Sequence, residues 1–158
     1  MVLSNELHRV AAGIYVRAVK DKVLGAVFPS IDEIAVAIAK RDKARIVPTG
    51  SYAMYKLGLT SQVPLNVVYY TDASARRIKT GKQIIIFKKA SAKNLAAIGN
   101  ISKLVIQALR AIGKDNIKAD ELKKICAVLK KEKPYHLQYD LKLAPEGIRR
   151  LILLHKFK

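Results

Sequence analysis

The sequence predicts an α+β fold in which a small mixed sheet with hairpins is followed by a helical C-terminal part. Up to about residue 90, short runs of β-branched and aromatic residues lie between turn signals. From about residue 100, apolar residues recur at the three- and four-residue spacing of amphipathic helices. A chain of 158 residues favours one domain with a buried core.

The N-terminal part of the chain predicts a β-hairpin and then a loop. Residues 7–10 and 14–18 are short apolar segments on either side of a turn at Ala11-Ala12-Gly13. A loop containing Gly25 and Pro29 is expected to follow the hairpin.

A capping box predicts the start of the first helix. The Ser30 hydroxyl can accept a hydrogen bond from an unpaired backbone amide, while the Glu33 carboxylate reaches back to the cap. The helix is expected to run to about Lys43. One apolar stripe would face the core, formed by Ile31, Ile34, Ala35 and Ile38.

Between residues 44 and 88 the sequence predicts most of the sheet and a second, shorter helix. In chain order, these elements are a strand over 44–47 that Pro48 ends, a helix over 49–57 that Gly58 ends, a strand over 65–71, and a hairpin of 77–79 with 83–88 around Thr80-Gly81. Residues 84–87 do not alternate between apolar and polar, so we expect this strand to be covered on both faces.

Four apolar stripes predict four helices in the remainder of the chain. The stripes are Ile101, Leu104, Val105, Ala108 and Ile112; Leu122, Ile125, Cys126 and Leu129; Leu137, Leu141 and Leu143; and Ile148, Leu151, Ile152 and His155. Gly113 ends the first of these helices, and Pro145-Glu146 opens the last one.

The charge of the chain is strongly positive and unevenly distributed. Thirty Lys and Arg residues against 12 Asp and Glu leave a net charge of +18, of which +3 falls in residues 1–75 and +15 in residues 76–158. Residues 73–114 contain ten basic residues and no carboxylate. Because unopposed like charges destabilise a compact fold, this segment indicates a polyanionic partner, of which nucleic acid is the commonest. A generally basic surface, a membrane surface and an acidic protein are the alternatives.

Eight cations are the candidate nucleic-acid-binding residues, and we expect them to contact the phosphate backbone with little base discrimination. They are Arg9, Arg17, Arg76, Arg77, Lys79, Lys82, Lys88 and Lys89. Four of them lie within residues 76–82, which would form an electrostatic finger on a protruding hairpin or, equally, a hairpin kept soluble by charge. Tyr69 and Tyr70 point to opposite faces of a strand, so at most one can stack on a base, and core packing is favoured for both.

The sequence lacks the motifs of common catalytic and metal sites. Gly50-Ser51 also opens the nucleotidyl-transfer motif, but that chemistry needs two closely spaced carboxylates, and Asp72 stands alone. Ser51 is therefore interpreted as a residue of a helix start. A single Cys126 and three scattered histidines, His8, His136 and His155, provide no metal-ligand spacing. We expect no catalytic residue, metal or cofactor, and a buried, apolar role for Cys126.

Neither a membrane span nor a signal peptide is evident in the sequence. The longest apolar runs, residues 84–87 and 151–154, are far shorter than the ~20 residues that cross a bilayer. A cytoplasmic protein without membrane contact is therefore expected.

Three segments in the middle of the chain form one block of structural residues. They are Ile46-Val47-Pro48-Thr49-Gly50-Ser51-Tyr52-Ala53, Leu57-Gly58-Leu59 and Val63-Pro64-Leu65-Asn66-Val67-Val68-Tyr69. Together with the helical tail around residues 137–146, this block resembles AbiEi-like proteins, the antitoxins and transcriptional regulators of type IV (abortive infection) toxin–antitoxin systems. The resemblance begins at about Gly13 and covers most of the chain.

The resemblance implies repression of the protein's own operon through an N-terminal winged helix-turn-helix, and a C-terminal domain that counters the toxin. Residues 9–17 are similar to the wing of that module, while the helices that precede the wing in the family have no counterpart before it. Residues 1–18 are accordingly interpreted as a remnant of the wing. Residues 19–158 are interpreted as the antitoxin domain, strand-rich to about 90 and helical over 100–158. The implied partners are DNA and a toxin encoded nearby, which the antitoxin need not contact.

Three functions follow, in descending order of support. The first is a non-catalytic antitoxin or transcriptional regulator that associates with nucleic acid. The second is a protein-interaction scaffold that has lost DNA binding and binds an acidic partner or itself. The third, an enzyme of nucleotide transfer, depends on Gly50-Ser51 alone.

Overall fold

The computed structural model describes residues 7–11, 13–17, 19–21, 25–27 and 29–156, which form the predicted α+β fold. The strands are β1 (Leu7–Ala11), β2 (Ile14–Arg17), β3 (Val19–Asp21), β4 (Gly25–Val27), β5 (Ile46–Pro48), β6 (Asn66–Thr71), β7 (Arg76–Thr80) and β8 (Gln83–Lys89). The helices are α1 (Ile31–Arg41), α2 (Gly50–Lys56), α3 (Ala92–Leu95), α4 (Ser102–Ile112), α5 (Ala119–Leu129), α6 (Pro134–Leu143) and α7 (Glu146–Lys156). The prediction of strands mixed with helices, followed by helices only, is confirmed.

A four-stranded mixed sheet is the centre of the first half, with the strand order β5-β6-β8-β7. β6 and β8 are parallel, and the other two pairs are antiparallel. The β7–β8 hairpin does not protrude, because β8 pairs with β6 from Ile84 to Lys89 and β7 forms the sheet edge. Gly81 has a φ of +58° at the first position of the two-residue turn, a conformation that glycine adopts without strain.

The predicted capping box of α1 is present. Ser30 Oγ accepts a hydrogen bond from the Glu33 amide at 3.2 Å, and Glu33 Oε2 accepts one from the Ser30 amide at 3.0 Å. The helix ends at Arg41, two residues earlier than expected, and Lys43 follows in the left-handed region with a φ of +52°. Ile34, Ala35 and Ile38 are buried as the periodicity predicts.

Two short regions of regular structure are absent from the sequence prediction. β3 and β4 pair with each other between β2 and α1, so Gly25 begins a strand and the expected loop is wrong there. The helical turn α3 follows β8. Both regions have only three or four residues per element, too few for alternation or a helical stripe to be recognisable in the sequence. The β1–β2 hairpin is confirmed, although Ala12 of its expected turn and Ala18 at its expected end lie outside the described residues.

We expected the strand over residues 84–87 to be covered on both faces, but its two faces are covered unequally. Ile85 and Phe87 are buried, whereas Ile84 and Ile86 are half-buried. The burial follows the two-residue period of a strand even though the sequence does not, because only one face of β8 lies against the main core.

Two hydrophobic cores lie on either side of α2. The first packs α1 and Ile14 of β2 against one face of the sheet, and Tyr52 of α2 belongs to it. The second is formed by α4 to α7, and Leu57 and Leu59 just after α2 pack against it. A short helix with apolar residues on two sides thus connects the two cores.

Carboxylates from distant residues cap the N-terminus of α4. Asp140 of α6 is fully buried and accepts hydrogen bonds from the amides of Ile98 and Gly99, both at 2.8 Å, and from the Ser102 hydroxyl. Glu132 accepts from the amides of Ile101 and Ser102 at 2.7 and 2.9 Å. These bonds satisfy backbone donors that the helix itself leaves unpaired and hold α4 against α6.

Candidate nucleic-acid interface

The four-stranded sheet has one buried face and one face that carries cations. Along β7 and β8, Ile78, Ile85 and Phe87 are buried in the first core, while the intervening residues are exposed or half-buried. Side chains that are directly opposite on neighbouring strands share a face. The register therefore places Lys79 beside Ile84, Arg77 beside Ile86, and Lys88 beside Tyr70.

We call this second side the open face and define it by Arg77, Lys79, Lys88, Val68, Tyr70, Ile84 and Ile86. The three cations are exposed, whereas the four apolar or aromatic residues are half-buried. Lys and Arg stems can lie along apolar surface while their charged heads stay in water. The open face therefore presents positive charge along the rim of an apolar strip.

Cations from α3 and α4 extend the open face across the sheet. Val47 of β5 is the register partner of Tyr70 and lines a cavity of about 20 Å³ together with Lys93, Lys103 and Arg110. Because neighbouring strands are ~4.8 Å apart, Val47 lies about 10 Å from Lys88, and the two groups of cations adjoin. Arg77, Lys79, Lys88, Lys93, Lys103 and Arg110 together are the basic surface.

Lys103 is half-buried, whereas the other five cations of this basic surface are exposed. Burial, and then repulsion from the Lys56 ammonium, lower its pKa below the ordinary lysine value, against the attraction of Asp140 and Glu132. The folded protein thus holds a partly desolvated ammonium near other cations, an arrangement that a bound anion would stabilise.

No carboxylate of the described residues neutralises the exposed cations of the open face. The ion pairs of the described chain involve other cations, namely Arg41, Lys56, Arg76, His136, Arg149 and Arg150. Several of the acids have structural roles, with Asp140 and Glu132 at α4 and Asp32 beneath the sheet. Within the described part of the chain, the exposed cations of the open face therefore have no carboxylate partner.

The eight candidate cations of the sequence analysis divide into different environments. Arg77, Lys79 and Lys88 lie on the open face, and Lys82 is exposed in the adjoining turn. Lys89 is exposed at the end of β8 on the other side of the strand. Arg9 of β1 is exposed and lines a cavity with Lys79, whereas Arg17 lies at the far end of β2, opposite Leu7.

Arg76 differs from its neighbour Arg77. Arg76 is half-buried, and its Nη1 lies 3.8 Å from Asp42 Oδ2. Arg41 forms the closer pair with Asp42 at 2.9 Å, and this hydrogen bond holds the pKa of Asp42 below its usual range. Of the two adjacent arginines, Arg77 is therefore the one available to a partner.

The two tyrosines of β6 have opposite roles. Tyr69 is buried in the first core and donates a hydrogen bond to Asp32 Oδ1 at 2.5 Å. Burial and the Asp32 carboxylate raise the pKa of Tyr69, so the phenol stays protonated. Tyr70 is the aromatic residue on the open face, beside Lys88. The expectation of core packing thus holds for Tyr69 and not for Tyr70.

Asp32 is the half-buried acceptor at the centre of the hydrogen-bond network around Tyr69. Burial alone would raise its pKa, but hydrogen bonds from Lys56, Tyr69 and Tyr52 outweigh burial and lower it. Lys56 Nζ lies 2.8 Å from Asp32 Oδ2. The network links α1, α2 and β6, so it holds the two helices against the sheet that carries the open face.

The residues weighed for other chemistry are dispersed. Ser51 is exposed in the first turn of α2, and Asp72 accepts a hydrogen bond from the Arg45 amide at 2.9 Å. Cys126 is half-buried and lines a groove between α5 and α7, so the expectation of a buried residue is wrong. Within the described residues no group of three His, Cys, Asp or Glu side chains is placed to hold a metal. None of the described helices has both the length and the apolarity to cross a bilayer.

Lys93, Lys103 and Arg110 were not among the eight candidates. The acid-free stretch that includes them is the signal in the sequence, but their helical positions give no indication that they adjoin the sheet. That proximity depends on the packing of α4 against β5.

Comparison with known proteins provides a family and no function. No curated protein and no solved structure matches the chain. A model described as a family of unknown function, DUF6088, matches residues 1–137. Since this match spans most of the chain, the protein belongs to the DUF6088 family.

Proposed function

We propose that this protein is a non-catalytic regulator of the antitoxin type, which associates with DNA through phosphate contacts made by the basic surface. The observation that carries the proposal is the grouping of exposed cations on the open face without a carboxylate partner among the described residues. Phosphates would provide the missing counter-charge. Contacts of this kind give affinity for DNA but discriminate little between bases.

The resemblance to AbiEi-like antitoxins supplies the regulatory part of the proposal. In this interpretation the β1–β2 hairpin corresponds to the wing, and residues 19–158 correspond to the antitoxin domain, in the cytoplasm and with a toxin encoded nearby. A flat sheet face with a cationic rim suits a phosphate backbone better than a base edge in a groove, since the β7–β8 hairpin is part of the sheet.

The test is a salt titration of binding to a labelled duplex of mixed sequence, followed by fluorescence anisotropy. If about five phosphates are neutralised, log K against log salt should fall with a slope of about −4.5 for duplex DNA. The triple variant Arg77→Ala, Lys79→Ala and Lys88→Ala should make the slope less steep by about 2 to 3.

A matched control distinguishes the contribution of the basic surface to DNA binding from the contribution of net charge. Replacing Lys123, Lys124 and Lys131 by alanine removes the same three charges from exposed positions on or just after α5. This control should keep the wild-type slope. Absence of binding at low salt, or equal slopes for the two triple variants, would overturn the proposal.

A second candidate function, a scaffold for an acidic protein partner, is favoured by the groove between α5 and α7. The groove has a volume of about 530 Å³, with Leu122, Cys126 and Ala127 along it and Lys123 and Lys130 among its lining residues. A net charge of +18 opposes pairing of two copies, so an acidic segment is the occupant that charge favours. Lys123→Glu with Lys130→Glu should abolish a complex with the product of the neighbouring gene in gel filtration. Formation of no complex by the wild type would remove this candidate.

A further inference from the structure

One face of α4 lines the cavity of about 20 Å³ beside Val47. Lys103, Gln107 and Arg110 succeed one another at four- and three-residue spacing, so their side chains lie on the same side of the helix. Lys93 of α3 adds a third cation, and none of the described residues that line the cavity is an Asp or a Glu. The charged groups around the cavity are therefore all cations, and each of them is a hydrogen-bond donor.

Gln107 is a buried polar residue without a partner in the described part of the chain. Only 6% of the residue is exposed, and its side-chain amide forms no hydrogen bond with a described residue. A buried amide without a partner opposes folding, whereas an apolar residue of similar volume would not. Since Gln107 lines the cavity, a bound group that accepts a hydrogen bond from its amide would remove this penalty.

The other polar groups of the cavity also favour an acceptor. Arg110 Nη1 donates a hydrogen bond to Asn94 Oδ1 at 2.8 Å, which holds the guanidinium beside the cavity and leaves the amino group of Asn94 able to donate. Asp140 and Glu132 attract the Lys103 ammonium, but neither carboxylate forms an ion pair with it. Both carboxylates instead accept hydrogen bonds from backbone amides at the start of α4. A negatively charged acceptor is therefore the group that the cavity favours.

The size of the cavity limits what it can hold. A volume of about 20 Å³ accommodates about one water-sized group, which is too little for a nucleobase or a sugar. One oxygen atom of an oxyanion has this size, and the rest of the anion would then lie at the mouth of the cavity, where Lys93 and Arg110 are exposed. Phosphate suits this arrangement, because its oxygens are strong acceptors and share a negative charge.

We propose that this cavity anchors one phosphate group of the DNA backbone, with one oxygen between Lys103 and Gln107 and the rest of the group against Arg110 and Lys93. The inference rests on the proposed function for the source of the phosphate and adds a discrete site to it. At such a site a neutral residue contributes to binding, whereas a diffuse positive surface depends on cations only. Free inorganic phosphate presents the same oxygens and is the other source of this group.

Gln107→Leu tests the anchor, because it removes the amide and changes neither the net charge nor, to any great extent, the side-chain volume. Binding to the mixed-sequence duplex should weaken about tenfold at every salt concentration, the size of one hydrogen bond to a charged group. The slope of log K against log salt should equal that of the wild type, because the cations are unchanged. The melting temperature should not fall. Gln138→Leu, at an exposed position on α6, is the matched control and should bind the duplex as the wild type does.

Lys103→Met tests the charged side of the anchor and keeps most of the apolar stem. It should weaken duplex binding about tenfold and make the slope less steep by about 0.9, the effect of one phosphate contact. The melting temperature should not fall, because burial and the Lys56 ammonium already disfavour the charge. Lys123→Met, at an exposed position on α5, is the matched control and should keep the wild-type slope.

The outcomes distinguish the inference from the proposed function. Duplex binding that is indifferent to either Gln107→Leu or Lys103→Met would overturn the anchor and leave the proposed function standing. If Gln107→Leu lowers the melting temperature, the comparison of Lys103→Met with Lys123→Met decides, and equal slopes for these two variants would overturn the anchor. Absence of duplex binding by the wild type would overturn both proposals.

Calorimetric titration with inorganic phosphate, with chloride of equal ionic strength as the reference, identifies the source of the phosphate. The backbone anchor requires that Gln107→Leu weakens duplex binding, whether or not the wild type also binds inorganic phosphate. Binding of inorganic phosphate that Gln107→Leu abolishes, with duplex affinity unchanged, would assign the cavity to a free oxyanion and overturn the backbone anchor.

Discussion

The two faces of the four-stranded sheet are formed by alternate residues of the same strands, yet they differ in almost every physical property. One face carries Tyr69, Ile78, Ile85 and Phe87, all buried in the first core. The other carries Tyr70, Lys79, Ile84 and Lys88, which are half-buried or exposed. Asp32 lies on the buried side, where it accepts a hydrogen bond from the Tyr69 hydroxyl.

Stability therefore depends on one side of a sheet a single layer thick, and the proposed function would use the opposite side. The buried face stabilises the fold through buried apolar area and through the hydrogen bond from Tyr69 to the Asp32 carboxylate. The open face contributes unopposed positive charge, which opposes folding and favours an anionic partner. Substitutions at neighbouring positions should therefore have different consequences.

The largest expected effect comes from truncating the buried face. Ile85 is fully buried, so Ile85→Ala should lower the free energy of unfolding by about 2–5 kcal/mol. Ile86→Ala should cost clearly less, because part of the Ile86 side chain is already in water in the folded state. Urea denaturation of both variants measures the contrast, and equal losses would contradict the assignment of the two faces.

Charge reversal on the open face should have the second-largest effect. Arg77→Glu with Lys88→Glu should weaken duplex binding about 100-fold, equivalent to about 2.7 kcal/mol. The melting temperature should change little, since both side chains are exposed and have no carboxylate partner in the described part of the chain. A large drop in melting temperature with unchanged DNA affinity would assign these cations to the fold.

Removing the hydroxyl group of Tyr69 or of Tyr70 should affect stability differently, because the two side chains lie on opposite faces of the sheet. Tyr69→Phe removes a hydrogen bond to the Asp32 carboxylate and should cost about 2 kcal/mol of unfolding free energy. Tyr70→Phe retains the ring on the open face and should leave stability close to that of the wild type. Thermal denaturation of the two variants measures the difference, and a larger loss for Tyr70→Phe would contradict a stabilising role for the hydrogen bond between Tyr69 and Asp32.

The smallest expected effect is the pH dependence supplied by Glu132. Burial raises the pKa of Glu132, but hydrogen bonds from the backbone amides of Ser102, Ile101 and Lys133 outweigh burial and lower it below 4.5. A lowered carboxyl pKa contributes stability that is present above pH 4.5 and is lost as the pH falls through the folded-state pKa. Glu132→Gln should therefore flatten the acid side of the stability curve, as followed by circular dichroism. An unchanged acid limb would show that Glu132 does not cap α4 in solution.

Much of the fold follows from local signals in the sequence. The capping box at Ser30, the glycine turn at Gly81 and the helical stripes after residue 100 act over a few residues, and the structure contains all three. The burial of β8 was mispredicted, because Ile84, Ile85, Ile86 and Phe87 are all apolar and only their packing distinguishes them.

The sequence predicted which segment carries the candidate cations, but it did not predict the surface that these cations form. The absence of acids from residues 73–114 is visible in the chain and identified Arg77, Lys79 and Lys88. The same reasoning gave Arg76 equal weight, because its partner Asp42 is far away in the sequence. The acid-free stretch includes Lys93 and Arg110, but the eight candidates did not, because the position of these two residues beside the sheet depends on how α4 packs against β5.

The sequence by itself determined the order of elements, the excess of positive charge and its concentration in the second half, since these depend on composition and on neighbouring residues. Only the tertiary structure decided which alternate residues are buried, which of two adjacent arginines is paired, and where a cavity lies beside Gln107. The physical reason is that burial and charge pairing are set by contacts between residues distant in the chain, such as Asp140 with Gly99 and Tyr69 with Asp32.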